Sequence, residues 1–178
     1  HNDWDIGRRD HLNTKRLEDY VIQASDAALC PSLYLAREAE RHYGFPGGWI
    51  QHIPLPHGDT TEIARSADTW ANGSICYFGR MEPRKGIFEW VDAAVRVSRE
   101  RPGLRFELIG SDTSLANAWP ASVRNDLRAR IPPDLREHIS LLDAVPRAQL
   151  RDRLAVARFS VVPSRWENYP NTCVEAMS

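Results

Sequence analysis

Ile75-Cys76-Tyr77-Phe78, followed at once by Gly79-Arg80-Met81-Glu82-Pro83-Arg84-Lys85-Gly86, is the stretch on which the fold turns. Four consecutive apolar residues fit a strand covered on both faces, as in a parallel sheet. Beyond Gly86, the residues Ile87, Trp90, Val91, Ala94 and Val95 recur at helical spacing and give one apolar helix face. Pro102-Gly103 ends that unit, so the stretch reads as strand, loop and helix.

The same order repeats towards the C-terminus. Leu104, Phe106 and Leu108 alternate with Arg105 and Glu107 in a strand that stops at Gly110. Val123, Leu127 and Ile131 mark a helix ended by Pro132-Pro133. Ile139 to Leu142 is a strand, Leu150, Leu154 and Ala157 mark a helix, and Phe159 to Val162 is a strand. A further helix begins near Asn171. Successive β-α steps of this kind predict an α/β, Rossmann-like, doubly wound parallel sheet with right-handed crossovers.

Towards the N-terminus, Leu17, Tyr20, Val21 and Ala24 predict an amphipathic helix over about 13–24. Ala27 to Cys30 is a short apolar run that stops at Pro31. Ser32 can cap a helix through Tyr43, which Gly44 ends, and Trp49 to Ile53 reads as a strand. Pro54, Pro56, Gly58 and a polar run through Ser66 then interrupt the pattern. The expected organisation is a domain piece at 1–58, a linker at 59–71 and a second domain at 72–178. The chain starts without Met and stops in what reads as the first turns of a helix, which suggests a fragment.

Composition narrows the function. Lys plus Arg is 23 against Asp plus Glu 24, and this balance argues against nucleic acid as a partner. Cys30, Cys76 and Cys173 form no CxxC pair and read as reduced, buried thiols. His52 and His57 flank Ile53-Pro54-Leu55-Pro56, whose prolines forbid a helix that would align them, so no metal site is expected. No apolar run approaches a membrane span, and the start has no signal-peptide layout.

Ligands of open α/β sheets bind beyond the carboxyl ends of the strands, so three loops carry the candidate chemistry. In Gly79 to Gly86, the glycine permits close approach. Arg80 and Lys85 supply a bidentate guanidinium and a compact ammonium suited to a diphosphate. No GxxxxGK[ST] is present, and a solvated basic loop is the plainer reading of this segment alone. Gly110-Ser111-Asp112 is either room for a ligand or an ordinary turn. The third loop is Pro163-Ser164-Arg165-Trp166-Glu167-Asn168-Tyr169-Pro170-Asn171-Thr172-Cys173-Val174-Glu175-Ala176-Met177. Glu167 precedes the helix and Glu175 lies in its early turns. Backbone N–H groups near Asn171 and Thr172 would face an anion, and a carboxylate can accept two ribose hydroxyls. Taken without context, both glutamates could equally favour a helix N-terminus.

Together these residues resemble the retaining glycosyltransferases of family 4, which have the GT-B fold of two facing Rossmann-like domains. Pro163-Ser164-x-x-Glu167 continuing to Glu175-Ala176-Met177 is similar to that family's E-x7-E motif in its usual setting, PS-x-x-E-x-x-P-x-x-x-x-EAM. Gly79-Arg80 and Lys85-Gly86 resemble its GR...KG element. Residues Ala24-Ser25-Asp26, Pro31-Ser32, Tyr43-Gly44 and Ile50 to Pro54 resemble the last part of its N-terminal acceptor domain.

The resemblance implies that Arg80 and Lys85 hold the donor diphosphate, that Glu175 binds the ribose, and that Glu167 is the catalytic carboxylate at the donor sugar. Asn168, Tyr169, Pro170, Asn171 and Thr172 would form the loop around sugar and phosphate. Gly79, Gly110, Leu142 and Val145 would line the nucleotide pocket, with the base held through backbone groups. The implied reaction moves a sugar from a nucleoside-diphosphate sugar to a saccharide, lipid-linked or other acceptor with retained configuration. The leaving diphosphate would help to take the acceptor proton. No cofactor is required, although Mg²⁺ arriving with the diphosphate is compatible. The implied setting is the cytoplasm, at the inner face of a membrane for lipid-linked acceptors. Two other readings stay open: a nucleotide-sugar-binding module without catalysis, and a GT-B sugar-nucleotide epimerase or hydrolase.

Overall fold

A computed structural model describes residues 9–56, 66–114 and 122–177. The chain divides into two compact units, His1–Pro56 and His57–Ser178. His57 and residues 59–65 of the expected linker lie outside the described residues.

The first unit runs α1 (Arg9–Gln23), β1 (Ala28–Cys30), α2 (Leu33–Tyr43) and β2 (Ile50–His52). The two strands pair in parallel, with Ala28 opposite Ile50 and Cys30 opposite His52. Ser32 caps α2 by accepting the Leu35 N–H, and Gly44, at φ 71°, closes it in the left-handed conformation that glycine adopts without a Cβ clash. Glu40 is buried on α2 and its carboxylate accepts the Ile50 N–H at 2.9 Å, which fixes the helix to β2. Tyr43 donates to Asp19 at 2.9 Å and ties α2 to α1. The apolar stripe predicted on α1 exists, but Leu17, Tyr20 and Val21 lie on the surface of this unit. The periodicity thus marks the helix and leaves open what its face packs on.

The second unit runs α3 (Ala67–Asn72), β3 (Ile75–Phe78), α4 (Ile87–Glu100), β4 (Phe106–Ile109), α5 (Val123–Arg130), β5 (Ile139–Leu142), α6 (Arg147–Ala155), β6 (Phe159–Ser160) and α7 (Asn171–Met177). All strand pairs are parallel, in the order β5-β4-β3-β6. The chain therefore builds outward from β3 through β4 to β5, then returns to the other side of β3 with β6. The switch point of this doubly wound sheet lies between β3 and β6, at the carboxyl ends of both strands.

α3 was not expected, because the polar run before it reads as a linker. Ser66 caps it by accepting the Thr69 N–H at 3.0 Å. Trp70 packs on Phe159 with ring centroids 6.1 Å apart, and Arg158 donates to the Ala71 carbonyl. Six residues are too few for periodicity to reveal.

One face of the sheet packs Ile75, Tyr77, Phe106, Leu108 and Ile139 against Ile87, Val91 and Ala94 of α4 and Val123 and Leu127 of α5. The other packs Cys76, Phe78 and Ile109 against Leu154 and Ala157. A strand buried on both faces requires the unbroken apolar run at Ile75 to Phe78. Burial pushes the Cys76 thiol up, in keeping with an inert core cysteine. Cys30 and Cys173 are also free but only partly buried, which corrects the expectation that all three are buried.

Candidate functional site

The loops after β3 and β6 meet at the switch point. Pro83–Lys85 forms a single 3₁₀ turn ended by Gly86 at φ 65°. A Cβ on Gly86 would overlap the Pro163 carbonyl, so glycine here serves the close approach of the two loops. The Arg165 N–H donates to the Arg84 carbonyl at 3.1 Å and completes the contact.

Glu167 is the centre of this junction. Its Oε1 accepts from Lys85 Nζ at 2.5 Å and from Ser164 Oγ at 2.6 Å. Its Oε2 lies 3.4 Å from Arg84 Nη1. Burial alone would push this carboxyl up. The Lys85 and Ser164 hydrogen bonds, with the charges of Lys85 and Arg84, outweigh it and hold the group below the usual carboxylate range. Glu167 is thus a fixed anion, suited to orienting a polar ligand rather than to donating a proton at neutral pH.

Arg84 spans the junction. One arm reaches Glu82 at 2.7 Å, and the other donates to the Trp166 carbonyl at 2.9 Å. Glu82 also pairs with Arg80 at 3.3 Å, and the Arg80 side chain is 62% exposed, which leaves it facing outward at the strand end. Arg80, Glu82, Arg84, Glu167 and Lys85 therefore form a chain of alternating charge, three cations and two carboxylates. Arg84 and Ser164 were missed as site residues. The signal for Ser164 was its place in the Pro163-Ser164-x-x-Glu167 segment. Arg84 gave none beyond its neighbour Lys85.

Glu175, on α7, is 33% exposed and pairs with Arg147 at 3.4 Å. Arg147 opens α6, directly after the loop that follows β5. This brings the second expected carboxylate to the loop from 142 to 147. The side chains of Leu142 and Val145 pack against the lower core with Leu150 and Ala176, and the Leu142 carbonyl accepts the Gly110 N–H at 3.1 Å. Those two positions therefore shape the loop from below. A cavity of about 260 Å³, lined by Arg128, Ile131, Arg136, Ile139 and Leu142 among others, opens beside β5.

The two expected pocket glycines serve each other. A Cβ on Gly110 would overlap the Gly79 carbonyl, while the Gly79 N–H donates to the Ile109 carbonyl at 3.0 Å. On its Cβ side, the space beside Gly110 is filled by the Gly79 backbone. Gly79 has φ 142°, and a Cβ there would meet Tyr77 and lie 3.7 Å from Thr172, so the first turn of α7 reaches the end of β3 at this point. The Asn171 N–H, expected to face an anion, donates instead to the Tyr169 carbonyl at 2.8 Å. Asp112 is held below its usual range. Burial opposes this, while the Ser122 hydroxyl and the Arg124 and Thr113 N–H groups outweigh it. Arg124 in turn donates to the Gly110 carbonyl at 2.6 Å and pairs with Asp143, linking the ends of β4 and β5. Arg124 was also missed from sequence.

Among the described residues, no group of three or more His, Cys, Asp or Glu side chains is placed to hold a metal ion. His52 Nε2 lies 3.2 Å from the Pro31 carbonyl. No described helix is long and apolar enough to cross a membrane.

A parallel α/β sheet with cations and carboxylates gathered at its switch point defines a ligand-binding domain of the Rossmann-like class. The family described as "Glycosyl transferases group 1" matches residues 72–178, and the chain belongs to it. No curated protein matches the sequence.

Among solved structures, a variant of S. aureus TarM in complex with fondaparinux, alpha-GlcNAc-glycerol and UDP is similar over 93% of this chain and 30% of its own, with 15% identity and a TM-score of 0.68. The pneumococcal O-GlcNAc transferase GtfA in complex with UDP and GlcNAc is similar over 93% of this chain and 31% of its own, with 16% identity and a TM-score of 0.66. Sucrose-phosphate synthase from Thermosynechococcus elongatus is similar over 98% of this chain and 45% of its own, with 20% identity and a TM-score of 0.66. At these identities the likeness defines the fold, which is α/β of GT-B type. The chain spans less than half the length of each of these three proteins.

Proposed function

We propose that this chain carries the donor site of a retaining glycosyltransferase of family 4, which moves a sugar from a nucleoside-diphosphate sugar to a saccharide or lipid-linked acceptor. The observation that carries the reading is the junction at Glu167, where the loops after β3 and β6 bring Lys85, Arg84 and Ser164 onto one carboxylate. Residues 1–58 belong to the acceptor-side domain and 72–178 to the donor domain, joined by 59–71.

Arg80 and Lys85 hold the diphosphate and neutralise its charge as it departs, which is where electrostatic stabilisation of the transition state acts. Glu175, oriented by Arg147, accepts the ribose hydroxyls. Glu167 contacts the donor sugar, and residues Asn168 to Thr172 close around sugar and phosphate. The departing phosphate takes the acceptor proton, so the protein's main work is orientation. Glu167 and Glu175 belong to different parts of the donor and do not flank one glycosidic bond. Mg²⁺, where present, arrives on the diphosphate. The similarity to proteins solved with UDP supports trying that nucleotide first.

The test is calorimetric titration of the chain with UDP, GDP and ADP, beside Arg80→Ala. The reading requires that one nucleotide binds and that Arg80→Ala weakens it. Absence of binding to all three, in the chain and in the complete protein, would overturn it.

A further inference from the structure

The alternating chain from Arg80 to Lys85 poses a problem of supply and demand for charge. Lys85 makes the shorter of the two cation contacts to Glu167, at 2.5 Å, and it is also a cation that the proposed function assigns to the diphosphate. A diphosphate and a carboxylate would then compete for one ammonium. Lys85 is a compact charge on a flexible stem and can turn between them. Arg84 is placed differently. It is held to Glu82 at 2.7 Å and to the Trp166 carbonyl at 2.9 Å, and its own carbonyl accepts the Arg165 N–H. Its side chain is 16% exposed. It is anchored to both loops and still lies 3.4 Å from Glu167.

We infer that Arg84 is a positioning residue, the standing counterion that keeps Glu167 charged and in place when Lys85 turns to the donor diphosphate. This rests on the donor-site reading above. The role follows from the fork shape of the guanidinium. Nη2 is held by Glu82, while Nη1 is shared between the Trp166 carbonyl at 2.9 Å and Glu167 Oε2 at 3.4 Å, so the anchor that fixes the arm also aims it at Glu167. Without Arg84, Lys85 is the cation left on Glu167, and a diphosphate must take it from a partly buried carboxylate that then keeps the Ser164 hydroxyl but no counterion. Leaving such a charge unpaired is costly, so the nucleotide binds less well.

The test is a double-mutant cycle read by calorimetric titration with UDP, GDP and ADP. Arg84→Met is expected to weaken the bound nucleotide about tenfold. Glu167→Gln removes the competing charge, and Arg84→Met in that background is expected to bind within about twofold of Glu167→Gln alone. A role for Arg84 in loop shape alone would give the same loss in both backgrounds, which would overturn the inference. So would unchanged binding in Arg84→Met. Each variant is first melted. If Arg84→Met lacks a cooperative transition, the cycle is run with Arg84→Lys. That variant keeps a cation but not the fork, and a loss of about threefold that disappears with Glu167→Gln is expected. Failure of the unsubstituted protein to bind any of the three nucleotides would instead sink the donor-site reading and the inference with it.

Discussion

The backbone of Gly110 lies against the carbonyl of Gly79, so closely that a Cβ on Gly110 would overlap that oxygen. The ends of β3 and β4 meet there, directly below the candidate site. The obstacle is backbone at the end of a central strand, which cannot swing aside as a flexible side chain can. Gly110→Ala is expected to destabilise the second unit by about 1–3 kcal/mol, as overpacking does. Gly103, whose Cβ position has nothing within 4 Å, is the control, and Gly103→Ala should stay within about 0.5 kcal/mol. Urea denaturation of both variants checks the difference, and equal midpoints would contradict it.

The division of labour proposed for Glu167 and Glu175 is separable by ligand. Glu175→Ala is expected to weaken UDP binding about tenfold and to erase the preference for UDP over its 2′-deoxy form. Glu167→Ala should leave nucleotide affinity within about threefold while lowering transfer by about a hundredfold. Calorimetry and a transfer assay on the complete protein read the two effects. Equal loss of nucleotide binding in both variants would refute the assignment.

Acid should open the junction at Glu167. Its carboxyl is held below its ordinary value of about 4.3, so its contribution to stability is present above that value. The contribution is lost as pH falls through the lower, folded-state value. The denaturation midpoint should therefore drop more steeply below about pH 4.3 in the unsubstituted protein than in Glu167→Gln. Asp112, depressed in the same direction, keeps a residual slope in the variant. Identical slopes would show that the Lys85 pair contributes nothing in solution.

Ser122 works twice at the start of α5. It accepts the Asn125 N–H at 3.0 Å and donates to Asp112 at 2.5 Å. Ser122→Ala should cost about 0.5–2 kcal/mol, the usual range for losing a helix cap. Ser122→Thr should recover most of it. Thermal melts of the pair decide whether the hydroxyl or the local shape matters.

Local patterns were legible where a single segment contains its own explanation. Ile139 to Leu142 is a strand with the predicted ends, and Ser32 and Gly44 cap α2 as their residue types require. β6 is shorter than its apolar run, with ladder pairing only at Phe159–Ser160, although the Val161 N–H still donates to the Cys76 carbonyl at 2.8 Å. What the sequence could not display was pairing between distant segments. The loop after β3 reads as a basic stretch open to a diphosphate, yet Lys85 already holds Glu167. Gly110 could have been room for a ligand, and only the fold shows another backbone in that room. Leu142, at the end of β5, and Val145, in the loop after it, look equivalent to other apolar residues, and their packing depends on α6 and α7. Arg84 and Arg124 each also hold a backbone carbonyl, of Trp166 and of Gly110, and a carbonyl carries no residue identity to read.

The order of the strands has a consequence for assembly. Lys85 and Glu167 are separated by 82 positions in the chain, and β6 follows β3, β4 and β5 in sequence yet pairs with β3. Closing so large a loop is entropically slow, and contacts of this span form late when a parallel sheet folds. A folding chain can thus complete β3, β4 and β5 before the proposed nucleotide site exists. Ligand that binds only the finished arrangement adds its binding free energy to the docking of β6. Nucleotide binding would then report that this strand is home, and nucleotide supplied during refolding would hold it there.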